Sequence, residues 1–343
     1  MFMTRLIIIS FLFSITLSHS QENITYQKPS KEILDLVDFE RPPNVIFDDN
    51  KDYLVFLFSK NYKSIEELSE KELRLAGLRI NPKTNIGSRV SFYNNIKIKS
   101  LKNDSDEVSQ ISGLPKNPKI SNLNWSPDQS KIAFTNTSED AVNLWILDLN
   151  SASAKKVSEL KLNANIGSVI NWFSDSNSLL IKVIPKDKPE LINSNIVVPV
   201  GPKVSTNFGE KAQNRTYQDL LKNKVDEHNF QQLVTSDLFT VSINGKAKKW
   251  LESNMYTSIS ISPDGNYVMV TKINKPFSYL VTYRSFPTSV DVYTKDAKFI
   301  SNLVNVPLVE ELPKGFMSVR TGKRSFSWRS DKPSVLTYVV ALD

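Results

Sequence analysis

Apolar and polar residues alternate over short stretches of the chain, and one such stretch recurs along it. Each copy has a large apolar residue three positions before an Asp, and two β-forming residues four and six positions after it. Because alternate residues of a strand point to the same side, this spacing predicts a β-hairpin with one buried face. The copies are Ile46–Asp49, Trp125–Asp128, Trp172–Asp175, Ile261–Asp264 and Trp328–Asp331. The predicted buried pairs are Tyr53 and Val55, Ile132 and Phe134, Leu179 and Ile181, Val268 and Val270, and, in a looser last copy, Val335 and Thr337.

The residues between these strands support the same interpretation. In Ser262-Pro263-Asp264-Gly265, Pro suits the first central position of a type I turn, and Gly closes the turn. Ser262 can cap the turn from the position before the Pro. We therefore interpret the repeated aspartates as acceptors for turn amides, in preference to catalytic or metal-binding groups.

A second pair of strand-like runs follows several of these hairpins. Two hairpins per unit form a four-stranded antiparallel sheet, and such units recurring every ~40 to 50 residues are typical of β-propeller blades. Asn244-Gly245 joins one such pair and is the dipeptide preferred in type I′ turns. The predicted fold is all-β: a β-propeller of four-stranded antiparallel blades. The paired runs are 142–149 with 155–157, 237–243 with 246–250, and 289–293 with 298–300.

Most intervals between the repeated aspartates are too long for one bare blade, which predicts insertions at about residues 60–88 and 185–235. Ser64–Leu75 in the first insertion has a helix-start signal and apolar residues at helical spacing. The second insertion has a Pro-rich stretch followed by two short helix-like runs, 217–222 and 226–232. We interpret both as excursions from blades rather than separate domains.

The amino-acid composition excludes several classes of site and partner. The 343 residues contain no cysteine, which excludes a disulfide scaffold, a thiolate metal site and a cysteine nucleophile. The net charge of +7 comes from scattered lysines without interleaved aromatic residues, so we expect a solvated basic surface and no nucleic-acid partner. No metal or cofactor signature is visible.

The N-terminus has the pattern of a secretory signal peptide over residues 1–20. Arg5 supplies the positive charge, an apolar run follows, and Ser18-His19-Ser20 is a small-x-small cleavage site that would leave Gln21 first. The apolar run is shorter than the ~20 residues that span a bilayer, so we expect no membrane association after cleavage. Export without cysteines favours a bacterial periplasmic or extracellular protein. His228 is then the single histidine of the mature chain, and a Ser-His-Asp triad would have to use it.

Two longer stretches carry a more specific signal. One consists of Pro199–Val204, Arg215–Leu221, Asp226-Glu227 and Thr235–Leu238, and the other is Ser318–Pro333. Both resemble the glutamyl-endopeptidase-like branch of the prolyl oligopeptidase clan of exported serine peptidases. The resemblance covers essentially the whole mature chain, 21–343. It implies an N-terminal propeller that covers a C-terminal α/β-hydrolase domain with a Ser-Asp-His triad, and hydrolysis of peptide bonds after acidic residues.

The sequence lacks the catalytic motifs of this family. It contains no Gly-x-Ser-x-Gly nucleophile elbow, and His228 lies in a propeller insertion, where the family pattern places no catalytic base. No catalytic residue of the family is therefore carried over to any position. The fifth blade stops after its first hairpin, at Trp328–Val339, which predicts an incomplete propeller of about four and a half blades. We expect the hydrolase domain to be absent from this chain, as in a fragment or a truncated gene.

These sequence features are consistent with two functions. The first is the propeller of an exported serine peptidase, which gates access to its missing hydrolase domain and contacts peptide substrates. Arg215, Arg320 and Arg324 are candidate contacts for an acidic side chain, because guanidinium pairs bidentately with carboxylate, although surface or inter-blade roles suit them better. The alternative is a non-catalytic TolB-like propeller that binds protein or peptide, which would require these residues to close a ring unaided.

Overall fold

The computed structural model describes residues 28–102, 106–193, 217–311 and 318–341. Its internal contacts divide the chain into two units, residues 1–41 and 42–343. The described part of the first unit contains α1 (Lys31–Val37), a short helix without buried residues. The predicted signal peptide, residues 1–20, lies outside the described residues. Across the ranges that the structure covers, no helix has both the length and the apolar character needed to cross a membrane.

The second unit consists of antiparallel sheets whose strands follow one another in space as they do in sequence. The first blade contains β1 (Asn44–Phe47), β2 (Tyr53–Ser59), β6 (Tyr93–Ser100) and β7 (Ser109–Gln110). The second contains β8 (Ile120–Trp125), β9 (Lys131–Thr137), β10 (Val142–Asp148) and β11 (Ser153–Lys156). The third contains β12 (Ile170–Trp172), β13 (Ser178–Val183), β14 (Ser236–Ser242) and β15 (Ala247–Asn254). The fourth contains β16 (Tyr256–Ile261), β17 (Tyr267–Ile273), β18 (Thr288–Thr294) and β19 (Phe299–Val306). The fifth hairpin is β20 (Arg324–Trp328) with β21 (Leu336–Val339).

Additional elements occupy the connections between the second and third strands of three blades. In the first blade they are α2 (Ile65–Ser69) and a small sheet of β3 (Leu73–Leu75), β4 (Leu78–Asn81) and β5 (Ile86–Gly87). In the third blade the connection contains α3 (Lys224–Val234), and in the fourth it contains a 3₁₀ turn, η1 (Tyr283–Ser285). The described residues of both predicted insertions connect the second and third strands of a single blade.

Successive blades pack face to face, as a propeller requires. Separate buried apolar clusters lie between the first and second, second and third, and third and fourth blades, and between the fourth blade and the fifth hairpin. The first strands β8, β12, β16 and β20 contact one another in that order. The predicted fold class is therefore confirmed: four antiparallel blades of four strands and a two-stranded fifth, which do not close into a barrel within the described residues. One pairing between β6 and β8, Tyr93 with Ile120, joins the first two blades into a continuous sheet.

The predicted buried pairs are confirmed in the first four blades, where all of their side chains are buried. The last copy was placed one residue too early. The Arg329 amide donates to the Val335 carbonyl six positions later, at 2.9 Å, whereas the equivalent bonds of the second to fourth blades span five positions. Because this loop is one residue longer, Leu336 packs against the core, while Val335 and Thr337 are exposed.

The first copy was also displaced. In the second blade, Ser126 Oγ accepts the amide of Lys131 at 2.9 Å. In the first blade, Asp48 Oδ1 accepts the amide of Tyr53 at 2.7 Å, again from five positions earlier. Asp48 is buried and has this turn role, whereas the predicted Asp49 is exposed.

Other local predictions were partly wrong. The capping box of Ser64 and Glu67 is present, but α2 ends at Ser69, and the remainder of the predicted helix forms β3. Run 226–232 is helical within α3, whereas 217–222 is not. The Asn244-Gly245 hairpin has a positive φ only at Gly245, so it is a type I turn with a following left-handed residue rather than type I′.

Candidate functional site

The three long connections meet in a common layer at one end of the blades. They leave from the ends of β2, β13 and β17, opposite to the Ser-Pro-Asp turns that join first and second strands. One buried apolar cluster contains side chains from all three, including Ile80, Phe230 and Phe286. Phe230 packs edge-on against Phe286, with ring centroids 5.6 Å apart. We call residues 73–88, 217–234 and 274–287 the insertion cap.

Polar contacts fix the three parts of the cap to one another. The Arg79 guanidinium pairs with the Asp219 carboxylate at 2.5 Å, and the Gly77 amide donates to the Asp219 carbonyl at 2.9 Å. The Tyr283 amide donates to the Ala76 carbonyl at 2.9 Å. Gly77 has φ of 86°, and a Cβ there would lie 2.7 Å from Thr282 Cγ2, so the close approach of these segments requires glycine.

The C-terminus of α3 is held by three buried amides, one from the first-blade insertion and two from the segment that precedes β12. The Leu233 carbonyl accepts hydrogen bonds from Nδ2 of Asn85, Asn163 and Asn165 at 3.0, 2.8 and 2.6 Å. Carbonyls at a helix C-terminus lack partners within the helix, and these amides satisfy one of them. The same contacts connect the cap to the segment that precedes β12.

Lys182 lies beneath this junction and is a fully buried lysine. Its side chain is buried, and its amine donates to the Ile166 carbonyl. Burial lowers the pKa of this amine to about 7, because the apolar surroundings disfavour the charged form. No carboxylate pairs with it among the ion pairs of the described chain.

In the second, third and fourth blades the repeated aspartates have the turn role that we predicted, whereas Asp331 pairs with the Arg329 guanidinium. Asp264 Oδ1 accepts from Ser262 Oγ at 2.5 Å and from the Asn266 amide at 3.1 Å. Asp128 makes equivalent bonds, and they lower the pKa of its carboxyl to about 2 although partial burial opposes the shift. These carboxylates are engaged by the backbone and hydroxyl donors of their own turns.

A cleft of about 240 Å³ lies between the fourth blade and the segment that leads into β20. Three cationic residues line it: Arg320, Lys323 and Arg324. Val290 and Val304 belong to its apolar wall, and Ser258, Thr271 and Thr288 add residues that carry hydroxyl groups. We call this the basic cleft.

The structure thus brings together two of the three candidate arginines. Arg320 and Arg324 line the basic cleft, whereas Arg215 lies outside the described residues. His228 is on α3, and its Nε2 lies 3.0 Å from the Glu190 carbonyl. Sequence reasoning missed Lys323, although it belongs to the same short basic run, and it missed Lys182.

Known proteins were compared with the whole sequence. No protein-family profile matches it. The chain is 36% identical over 336 residues to a probable glutamyl endopeptidase, chloroplastic, of Oryza sativa subsp. japonica, covering 93% of this chain and 35% of that protein. A protein of the same name from Arabidopsis thaliana is 34% identical over 91% of this chain and 33% of its own length. Among solved structures, Pyrococcus horikoshii acylaminoacyl peptidase has a TM-score of 0.41 and 18% identity, covering 79% of this chain and 33% of that one.

The sequence comparisons agree with the resemblance seen in the two diagnostic stretches. They extend over nearly the whole chain, whereas the structural similarity is too weak to carry an argument. The chain spans about a third of the length of the curated relatives that it matches. It is therefore a propeller chain that resembles a portion of the glutamyl endopeptidases along almost its entire length.

Proposed function

We propose that this chain is the propeller part of a serine peptidase of the glutamyl-endopeptidase type. The observation that carries the proposal is 36% identity over 93% of the chain to a protein named for that activity. The remaining two-thirds of such a relative leaves ample length for a catalytic domain, and the hydrogen bonds of Asp128 and Asp264 within their turns support a structural role for these carboxylates.

In this proposal the propeller gates the catalytic domain and the chemistry takes place elsewhere. The hydrolase domain would supply a serine that attacks the peptide carbonyl, a histidine that transfers the proton and an aspartate that orients the histidine. The insertion cap adds a packed layer at one end of the blades, so a peptide that approaches from this end must pass it. In this proposal the cap excludes folded proteins, which makes short or unfolded peptides the substrates.

The same proposal accounts for the unpaired edge of the fifth hairpin. β21 pairs with β20 and with no further strand among the described residues. We infer that additional strands of the complete polypeptide pair with its free edge and continue the ring, because an exposed strand edge invites aggregation.

The experiment compares the purified 21–343 chain with any longer product of the native gene on a panel of fluorogenic peptides that includes Glu at the cleavage position. The proposal expects hydrolysis after Glu by the longer product and none by the 21–343 chain. Hydrolysis by the 21–343 chain that a serine reagent blocks would contradict it, and inactivity of both would favour a TolB-like binding propeller.

Export is a separate proposal and rests on the pattern of residues 1–20 alone. The relatives carry the word chloroplastic in their names, which describes those plant proteins. Expression in a bacterial host, followed by N-terminal sequencing of the periplasmic fraction, tests this proposal. It expects a product that begins at Gln21, and retention of an intact Met1 chain in the cytoplasm would contradict it.

A further inference from the structure

The basic cleft brings three cations together, and none of them pairs with a carboxylate of the described residues. In this region the ion pairs of the described residues join Lys272 to Asp291 and Arg329 to Asp331, and none includes the three cations of the cleft. The Arg320 guanidinium donates instead to the carbonyls of Thr321 and Lys323, at 2.8 and 2.7 Å. Neutral carbonyls orient a guanidinium but leave its net charge uncompensated.

The cations are held in place by their own segment. Arg324 Nη1 donates to the Arg320 carbonyl at 3.4 Å, which connects the two ends of the turn. The Lys323 amine lies over the Tyr338 ring of the fifth hairpin, 4.8 Å from its centroid. Both arginines are half-buried, whereas Lys323 is exposed. An anion that enters therefore meets a preformed cationic edge, which reduces the entropic cost of binding.

The fourth-blade wall of the cleft combines apolar residues with the hydroxyl-bearing Ser258, Thr271 and Thr288. Val290, Val304 and Val306 come from the adjacent strands β18 and β19, and Phe326 comes from β20. A bare inorganic anion would gain nothing from the valines of this wall. A carboxylate on a short aliphatic stem fits both parts, because its methylene groups contact the valines while its oxygens reach the cations.

We propose that the basic cleft binds the carboxylate of a peptide, presented on an aliphatic stem. An acidic side chain and a free C-terminus share this chemistry, and the test separates them. The inference rests on the proposed function for its choice of peptides as ligands, and it deepens that function by adding an anchoring site on the propeller itself. It assigns Arg320, Lys323 and Arg324 to ligand binding and not to the hydrolytic step.

The test is equilibrium binding of short blocked peptides to the purified 21–343 chain by titration calorimetry at low ionic strength. The first arm compares a peptide with a central Glu, blocked at both ends, with its Gln isostere. The second arm uses the Gln peptide with a free C-terminus. The cleft predicts that at least one carboxylate peptide binds about tenfold or more tightly than the blocked Gln peptide, and that added NaCl weakens this binding.

Three variants locate the binding. Lys323→Gln and Arg324→Gln each remove a charge from the cleft and should weaken carboxylate binding about tenfold. Arg320 is a poorer choice, since its guanidinium shapes the turn. Lys332→Gln removes the same charge from an exposed position of the neighbouring loop and should leave the affinity within about twofold. Thermal unfolding of each variant confirms that the fold is retained.

The outcomes are distinct. Equal binding of both blocked peptides, together with no gain from the free C-terminus, overturns the inference, and so does an equal loss in Lys332→Gln. A gain for the free C-terminus alone supports the cleft and identifies the C-terminus as the source of the carboxylate. Glu hydrolysis by the longer product, without any carboxylate preference in the 21–343 chain, would refute the cleft and leave the proposed function intact. Carboxylate binding by the 21–343 chain, without hydrolysis after Glu by the longer product, would support the cleft and refute the proposed function.

Discussion

The indole Nε1 of Trp328 donates a hydrogen bond to the Ser260 carbonyl at 3.1 Å, joining β20 to the first strand of the fourth blade. Trp172 makes the same contact one blade earlier, to the Asn124 carbonyl at 3.0 Å. Both tryptophans stand at the same position of the repeat. The fifth hairpin is therefore docked as the next blade, although the described residues contain only two of its strands.

We predict that Trp328→Phe lowers the free energy of unfolding by about 1 kcal/mol, because the ring still packs while the hydrogen bond is lost. Urea unfolding measures this change. Trp172→Phe is the matched variant in a complete blade and should show a loss of similar size. A loss for Trp172→Phe with no change for Trp328→Phe would contradict the docking of the fifth hairpin.

Burial of the Lys182 amine makes the free energy of unfolding depend on pH. Its pKa of about 7 in the folded chain is below that of an exposed lysine, so the unfolded chain binds the extra proton between these two values. Stability should rise with pH from about 7 to 10.5, by ~1.4 kcal/mol per pH unit from this group. The cost of burying the charged amine is fully present below pH 7.

Lys182→Met should therefore stabilise the chain at pH 7 and flatten the rise in stability above it, measured by chemical unfolding across this pH range. Lys272→Met is the matched control with the opposite sign. Lys272 pairs with the buried Asp291 at 2.5 Å, and this hydrogen bond raises the pKa of the lysine although burial opposes the shift. Its removal leaves an unpaired buried carboxylate and should destabilise the chain. Destabilisation by Lys182→Met at pH 7 would refute this account.

The close approach within the insertion cap can be tested at one glycine. Gly77→Ala forces a left-handed alanine and a contact with Thr282, so we expect a loss of about 1 to 3 kcal/mol. Gly87→Ala, in β5, is the control, because its nearest neighbour is Val90 Cγ2 at 3.4 Å and its φ is not left-handed. Unfolding and the protease sensitivity of the cap report the difference. Equal effects of the two changes would argue against the packed cap.

The corrected register of the first blade makes a further prediction. Asp48→Ala removes the acceptor of the Tyr53 amide in a buried turn and should cost about 1 to 2 kcal/mol of unfolding free energy. Asp49→Ala changes an exposed side chain next to it and should be close to neutral. The reverse order of the two effects would restore the register expected from the sequence.

The repeat predicted the blades well because its signals are local. Alternation marked the buried strand faces, and the Ser-Pro-Asp-Gly turn specified its own hydrogen bonds. Local signals failed where one residue was inserted, as before Leu336. They also failed at the end of the apolar run that Ser64 caps, because Leu73–Leu75 forms a strand and packs against the other insertion.

The functional features were harder to predict for a different reason. A lysine in a strand with one buried face is expected on the exposed side, but β13 lies between two blades and is buried on both faces, which places Lys182 in the interior. The basic cleft combines a sheet face with a segment that follows it in the chain. The sequence indicated Arg320 and Arg324 as a pair of cations, but only the fold places the apolar wall beside them.

The central claim is that this propeller serves a peptidase whose nucleophile lies elsewhere. The most direct measurement is labelling of the longer gene product and of the 21–343 chain with a fluorophosphonate, followed by mass-spectrometric identification of the modified serine. The account predicts one labelled serine in the longer product, outside residues 1–343, and no labelling of the shorter chain. Activity-dependent labelling of any serine within 21–343 would contradict it.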